Sequence, residues 1–332
     1  MNEEHSIRFE QPLKLSARQY TFGPVPSRRL GLSLGVDVIP KKLCNLDCIY
    51  CELGRTDKRA MRRLEYLSAE EIVAEVKSVI AERPATDFIT FSGSGEPTLN
   101  SKLGEIISEI KRFTAIPVAV ITNGTLLYLE DVRRDLIQAD LVLPSLDSVT
   151  TEMFLKVNRP HPKLSIGSIV EGLKKFRQEY AGKIWLEVLF VKGFNDSNEE
   201  VLLLKQILAD IRPDKVQLNT VVRMPAEATA EPVDEQRMRE IRDMLGEGCE
   251  IIAAFTPSEK SVSQPFDAAN ILAILRRRAV TVNDLADIMH VSVEEIQSVL
   301  DVLEKHVLVV PYRFQHKTYY RPIENFFNGF CG

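Results

Sequence analysis

Six short apolar runs, each separated from the next by a stretch with helical apolar spacing, constrain this chain more than any other feature. The runs are LSLGVDVI (Leu32–Ile39), DFITFS (Asp87–Ser92), VAVI (Val118–Ile121), ADLVLPSLD (Ala139–Asp147), IWLEVLFV (Ile184–Val191) and DKVQLNTV (Asp214–Val221). Helical spacing covers Ser68–Glu82, Lys102–Phe113, Tyr128–Ile137, Ser165–Tyr180, Asn198–Ile211 and Asp234–Leu245. Strands that alternate with helices pair in parallel, because each helix returns the chain to the end of the sheet where it began. Polar or glycine-rich segments recur where the runs stop, and β/α barrels assemble their sites at that end. The pattern predicts an α/β fold, a partial (β/α)6 barrel over residues 32–262, preceded by an irregular N-terminal arm at 1–31.

Residues 263–332 read differently. Helical spacing over Asp267–Arg278, Thr281–Val291 and Ser292–His306 leads into two strand-like runs, VLVVPYRF and KTYYRP. Three helices and a hairpin resemble a winged helix-turn-helix. The second helix of that turn bears Glu294, Glu295, Asp301 and Glu304 against Lys305 alone. Phosphates would repel it, so the charge argues against DNA and for a structural or protein-docking role. The hairpin, with Tyr312, Arg313, Phe314, Lys317, Tyr319, Tyr320 and Arg321, suits stacking on bases or binding a peptide. Over all 332 residues the net charge is −5, so any contact with a polyanion has to come from a local patch. No apolar run reaches the ~18–20 residues of a membrane span. The start, MNEEHSIRFEQPLKL, lacks the basic and apolar regions of a signal peptide. With cysteines crowded rather than spread as a disulfide framework, the expected location is the cytoplasm.

Three of the five cysteines, Cys44, Cys48 and Cys51, fall within LCNLDCIYCELG (Leu43–Gly54), directly after the first strand. Three thiolates on one short loop can ligate three irons of a [4Fe–4S] cube. The fourth iron is then open to an outside amine and carboxylate. Zinc in a closed tetrahedral site is the alternative, with Cys249 as the remaining thiol.

The spacing Cys-x3-Cys-x2-Cys at this place resembles the signature of the radical S-adenosylmethionine (radical SAM) superfamily. FSGSGEPTL (Phe91–Leu99) resembles that superfamily's Gly-Gly-Glu segment, with Gly95, Glu96 and Pro97 matching and Ser94 in place of the first glycine. ITNGT (Ile121–Thr125), PSLDS (Pro144–Ser148) and FVKGFND (Phe190–Asp196) resemble its third, fourth and fifth strand ends. The resemblance implies a [4Fe–4S] cluster on Cys44, Cys48 and Cys51 and S-adenosylmethionine as cofactor. It implies Gly95 and Glu96 at the methionyl amine, where glycine permits close approach. Thr122 or Asn123, Ser145 and Lys192 would contact the carboxylate or ribose, and Tyr50 would cover the adenine. Plainer readings stand beside these: Glu96 as a buried salt-bridge anchor, TNG as an ordinary turn, Lys192 as a solvated lysine, Tyr50 as packing. The implied chemistry is reductive. One electron breaks a C–S bond of the sulfonium, and the resulting 5′-deoxyadenosyl radical abstracts hydrogen from an unactivated carbon. A one-electron reductant such as flavodoxin or ferredoxin is implied with it.

GPVPSRRLGLSLGVDVIP (Gly23–Pro40) resembles a bacterial and archaeal group placed beside the tRNA wyosine synthases, and the resemblance covers roughly Thr21–Phe255. VQLNTVVRMPAE (Val216–Glu227) looks like the sixth strand end of that group, which implies that Gln217, Asn219 and Arg223 face substrate. Arg28 and Arg29 either grip a phosphate or carboxylate, as arginine does bidentately, or form surface salt bridges. Wyosine synthases carry a second cluster on cysteines upstream of the main motif. Here no cysteine precedes Cys44, and Cys249 and Cys331 cannot make a second three-thiolate site, so relatedness does not transfer the substrate. RNA, a peptide and a small molecule all remain open as substrates. A non-enzymatic iron–sulfur regulator is the reading from a different class.

Overall fold

A computed structural model of the chain describes residues 18–82, 84–253, 268–277, 280–289, 291–314 and 317–323. Cys331 and the first 17 residues of the expected arm lie outside them. The main sheet runs β1 (Thr21–Ser27), β2 (Gly31–Val36), β3 (Phe88–Phe91), β4 (Val118–Thr122), β5 (Leu141–Pro144), β6 (Lys183–Phe190), β7 (Lys215–Thr220) and β8 (Cys249–Ile251), in that order. From β2 to β8 every pairing is parallel, while β1 runs antiparallel to β2. The crossovers carry α1 (Ala69–Ala81), α2 (Leu103–Phe113), α3 (Glu130–Leu136), the short α4 (Thr151–Met153) with a π-helical turn at Phe154–Asn158, α5 (Ile166–Glu179), α6 (Asn198–Ile211) and α7 (Glu235–Leu245). A strand order that follows chain order is the succession of a singly wound, partial barrel rather than of a doubly wound sheet.

The six expected strands are β2 to β7, and the structure adds one at each edge. Thr21–Ser27 corrects the expected irregular arm. Its glycine and two prolines, TFGPVPS, hide any alternation, yet an edge strand tolerates proline because one side of its backbone needs no partner. At the other edge, β8 has three residues, too few to show a period.

Two apolar layers result from strand alternation. Ile184, Leu186, Val188 and Phe190 of β6 join the helices in the large core, with Ile72 and Val76 of α1 and Ile106 and Ile110 of α2. Trp185, of opposite parity, packs with Leu30, Ala119, Leu141 and Leu143 in the barrel interior. Helix starts are set locally. The side chains of Ser68, Ser165, Ser197 and Asp234 accept N–H bonds from the first turns of α1, α5, α6 and α7. Ser68 Oγ accepts Glu71 N–H, while the Glu71 carboxylate accepts the Tyr20 hydroxyl.

The barrel belongs to a compact unit spanning Tyr20–Val262. A second unit, containing Ser263–Gly332, carries α8 (Ala268–Arg277), β9 (Val280–Thr281), α9 (Val282–Met289), α10 (Val293–Lys305), β10 (Val309–Phe314) and β11 (Lys317–Pro322). Its sheet has the order β10-β11-β9, and Ser292 with Glu295 completes a capping box at the start of α10. Ile296, Val299, Leu300 and Leu303 bury one face of α10. Among the described residues no helix is long and apolar enough to cross a membrane.

Candidate functional site: a three-thiol loop at the strand ends

The cysteine loop leaves the sheet just beyond the C-terminal end of β2 and is tied to the ends of later strands. Asn45 Nδ2 donates to Thr125 Oγ1 at 2.7 Å beyond β4. Ile49 N–H donates to the Val157 carbonyl at 2.9 Å, and Glu227 N–H, past β7, donates to the Ile49 carbonyl at 2.9 Å. Each thiol sulfur also receives a side-chain N–H donor, and each of these comes from a different place in the chain. Asn123 Nδ2 lies 3.6 Å from Cys44 Sγ, Asn158 Nδ2 lies 3.5 Å from Cys48 Sγ, and Lys42 Nζ lies 3.1 Å from Cys51 Sγ. Donors of this kind stabilise thiolate over thiol. Burial outweighs them. It pushes the Cys44 thiol up to about 12, with the Glu96 carboxylate adding to the effect. Burial, followed by the charge of Asp147, raises the Cys48 thiol as well. Iron has to displace those protons, as any metal bound by thiolate does.

Glu96 is buried and takes four hydrogen bonds from neutral donors, not a salt bridge. Its Oε1 accepts Thr98 N–H at 3.0 Å, the Thr98 hydroxyl at 2.5 Å and the Thr122 hydroxyl at 2.6 Å, and its Oε2 accepts Asn123 N–H at 2.8 Å. Burial raises its carboxyl despite these bonds. The carboxylate thus joins the ends of β3 and β4. Asn123 passes the link to the cysteine loop through Asn45 Oδ1 at 2.7 Å. Gly95 serves the same junction. A Cβ there would lie 2.1 Å from the Leu43 carbonyl oxygen and 2.8 Å from Ile39 Cγ2, so the glycine makes room for the loop itself.

Tyr50 has its hydroxyl bound to Asp147, a buried residue that sequence reasoning left out of the site. Asp147 also accepts Asn158 Nδ2 at 2.7 Å and Leu189 N–H at 2.9 Å. Burial outweighs these bonds and raises its carboxyl to about 6. Asp147 lay within the quoted PSLDS segment and could have been singled out. Asn158 and Lys42 carry no pattern that would have marked them. Ser145 is half-buried beside Glu187 through a parallel bridge, and Lys192 is exposed after β6. Neither the Ser145 hydroxyl nor the Lys192 ammonium has a side-chain partner among the described residues.

Deeper in the barrel lies a second polar group. Arg29 Nη1 pairs with Glu187 Oε2 at 2.6 Å, both side chains nearly buried at 12% and 11% exposure. Asn219 Nδ2 holds the other Glu187 oxygen at 2.9 Å, and Gln217 Nε2 donates to Glu250 Oε1 at 2.7 Å. Burial alone would raise Glu187, but the Arg29 guanidinium and the hydrogen bonds from Arg29 and Asn219 hold it below the usual carboxylate range. Arg28 Nη1 reaches Asn219 Oδ1 at 3.3 Å and the Ile252 carbonyl, just past β8, at 3.1 Å. Its guanidinium is lowered to about 10 by burial and then by repulsion from Arg223. Arg28 and Arg29 therefore form interior ties, not surface salt bridges, and they link the β1–β2 turn to the far strands. Arg223 binds Glu52 of the cysteine loop at 2.8 Å.

A loop of three thiols at the C-terminal rim of a parallel barrel points to one class of protein, and sequence comparison agrees. The family model described as Radical SAM superfamily matches residues 38–204, from the end of the first strand run into α6. The chain belongs to the radical SAM superfamily, and its homologues there are UPF0026 proteins. It is 34% identical over 268 residues to a UPF0026 protein of Helicobacter pylori, covering 79% of this chain and 85% of that one. With a Brachyspira hyodysenteriae protein named GTPase Obg it shares 39% identity over 268 residues, 80% of this chain but only 39% of that protein's length. The fold resembles that of a radical SAM methyltransferase from Sphaerobacter thermophilus, with a TM-score of 0.53, 20% identity, and coverage of 66% of this chain and 65% of that one. The superfamily uses a [4Fe–4S] cluster and S-adenosylmethionine. The donor set here fits that cluster: three free thiols on one loop, each sulfur with its own N–H donor.

Proposed function

We propose that this chain is a radical SAM enzyme in which Cys44, Cys48 and Cys51 hold three irons of a [4Fe–4S] cluster. The supporting observation is the set of three N–H donors, from Lys42, Asn123 and Asn158, brought to three sulfurs from separate segments. When bound and reduced, the cluster supplies the electron that breaks a C–S bond of S-adenosylmethionine and starts hydrogen abstraction from substrate. The chain's own residues hold and orient. In this reading Ser145 and Lys192, whose polar ends are unspent, take the cofactor's carboxylate or ribose. Gly95, Glu96, Thr122 and Asn123 act through the loop they fix, and Tyr50, anchored by Asp147, stands beside the cofactor. Arg28, Arg29, Gln217 and Asn219 form the polar wall beneath the substrate, and Arg223 steadies Glu52 at the rim.

A one-electron reductant and an RNA, peptide or small-molecule substrate complete the reading. The C-terminal unit is assigned a winged-helix-like docking role, with the acidic surface of α10 arguing against DNA. The test is direct. Anaerobically reconstituted protein given dithionite and S-adenosylmethionine yields 5′-deoxyadenosine, and the triple Cys44→Ala, Cys48→Ala, Cys51→Ala variant loses iron, sulfide and product together. A triple variant with a full cluster would falsify the assignment. A wild-type cluster that ignores S-adenosylmethionine would favour an iron–sulfur regulator.

A further inference from the structure

We propose that Lys42 sets how readily the cluster accepts its electron, by holding an ammonium against the Cys51 sulfur; this rests on the radical SAM reading. Lys42 Nζ lies 3.1 Å from Cys51 Sγ, whereas the donors to Cys44 and Cys48 are the neutral amides of Asn123 and Asn158. The backbone gives no reason for a lysine at this place. Lys42 N–H donates to the Ser94 carbonyl at 2.6 Å, and Leu43 N–H closes a turn on the Pro40 carbonyl at 3.1 Å. The turn holds Lys42 at φ 62°, a left-handed conformation that glycine adopts freely and other residues rarely do. Glycine would suit that backbone better. The side chain, half-buried and ending on the sulfur, is what explains the lysine.

The surroundings of the thiols are otherwise hostile to added negative charge. Glu96 and Asp147 are both buried, and among the described residues each is held by neutral donors alone. After burial itself, Glu96 is the group that most disfavours thiolate at Cys44, and Asp147 the one that does so at Cys48. The Lys42 charge works in the opposite sense at Cys44 as well as touching Cys51. Three thiolates already leave an oxidised [4Fe–4S] cluster with a net negative charge, and the arriving electron increases it. An ammonium on one of the sulfurs favours the reduced form over the oxidised one, because its attraction grows with the charge it faces. Net charge and hydrogen bonds to sulfur are among the factors that set the potential of such clusters. The electron comes from the one-electron reductant, which is oxidised by one electron. Lys42 stays protonated throughout and no bond to it forms or breaks.

The experiment is a redox titration of the full, anaerobically reconstituted chain with dithionite and without S-adenosylmethionine. It follows the paramagnetic resonance signal of the reduced cluster, with iron and sulfide counted on the same samples. Lys42→Met removes charge and donor together. At a fixed potential its ratio of reduced to oxidised cluster should fall about tenfold, a midpoint about 59 mV lower for one electron. Lys42→Gln keeps an N–H donor without the charge and should shift in the same direction by less. Lys42→Arg keeps the charge and should recover most of the wild-type midpoint. A loaded Lys42→Met protein with the wild-type midpoint overturns the proposal. So does a Lys42→Arg midpoint as low as that of Lys42→Met, which would assign the shift to packing. Loss of the cluster in both neutral variants overturns it too, and would make Lys42 a residue of cluster assembly. A wild-type chain that loads no cluster is instead the failure of the radical SAM reading, and it shows before any variant is compared.

Discussion

The barrel interior and the cysteine rim both gather charged and polar groups, but they spend them differently. In the interior, Arg29 meets Glu187, Asn219 meets both Glu187 and Arg28, and Gln217 meets Glu250. Almost every group there answers another, and the result is mechanical: the β1–β2 turn is fastened to β6, to β7 and to the residue after β8. At the rim, the three sulfurs collect N–H donors, and among the described residues the Ser145 and Lys192 side chains find no side-chain partner and the Thr56 hydroxyl no hydrogen bond. The contrast teaches where ligands belong. Groups that satisfy one another make structure; those left unsatisfied at a strand end await something from outside.

Breaking the interior should cost most in stability. Glu187→Ala leaves the Arg29 guanidinium without its carboxylate, and chemical denaturation should show a loss of about 3–5 kcal/mol. Replacing the pair together, Arg29→Met with Glu187→Leu, should recover most of it, since isolated buried charge is the source of the penalty. A single variant as stable as wild type would mean that the interior ties carry nothing.

The junction between the two regions is sharpened by Gly95→Ala. The added Cβ, 2.1 Å from the Leu43 carbonyl, has backbone against it and cannot be accommodated by a rotamer change. Overpacking of this kind costs about 1–3 kcal/mol. Iron per chain should fall along with stability. Normal iron loading in that variant would separate the Gly95 junction from the thiol loop.

Smallest is a pH effect at Asp147. Its carboxyl is raised to about 6 in the fold from an ordinary 3.8, chiefly by burial, so the folded state binds the extra proton between those values. Stability from this group is therefore present at the acid end and is lost as pH rises from about 4 to about 6. Asp147→Asn removes that slope, and the urea midpoints of the two proteins should diverge across the interval. Parallel curves would show that Asp147 carries no such proton. Glu187 acts in the opposite sense: its lowered carboxyl stabilises the fold above the ordinary glutamate range and loses that contribution as the medium turns acid.

The sequence by itself determined the alternation of strands and helices, the placement of Cys44, Cys48 and Cys51 after the first parallel strand, and the polar segments at later strand ends. Those features are periodic or close along the chain, so local spacing exposes them. Only the tertiary structure decided that Thr21–Ser27 is an edge strand, that Gly95 yields space to Leu43, and that Arg29 answers Glu187 across 158 positions. It also brought Asn158 to Cys48 from 110 residues away. Hydrogen-bond partners and steric neighbours at such separations leave no period to read, because they come together only when the sheet curls and carries one strand end to another.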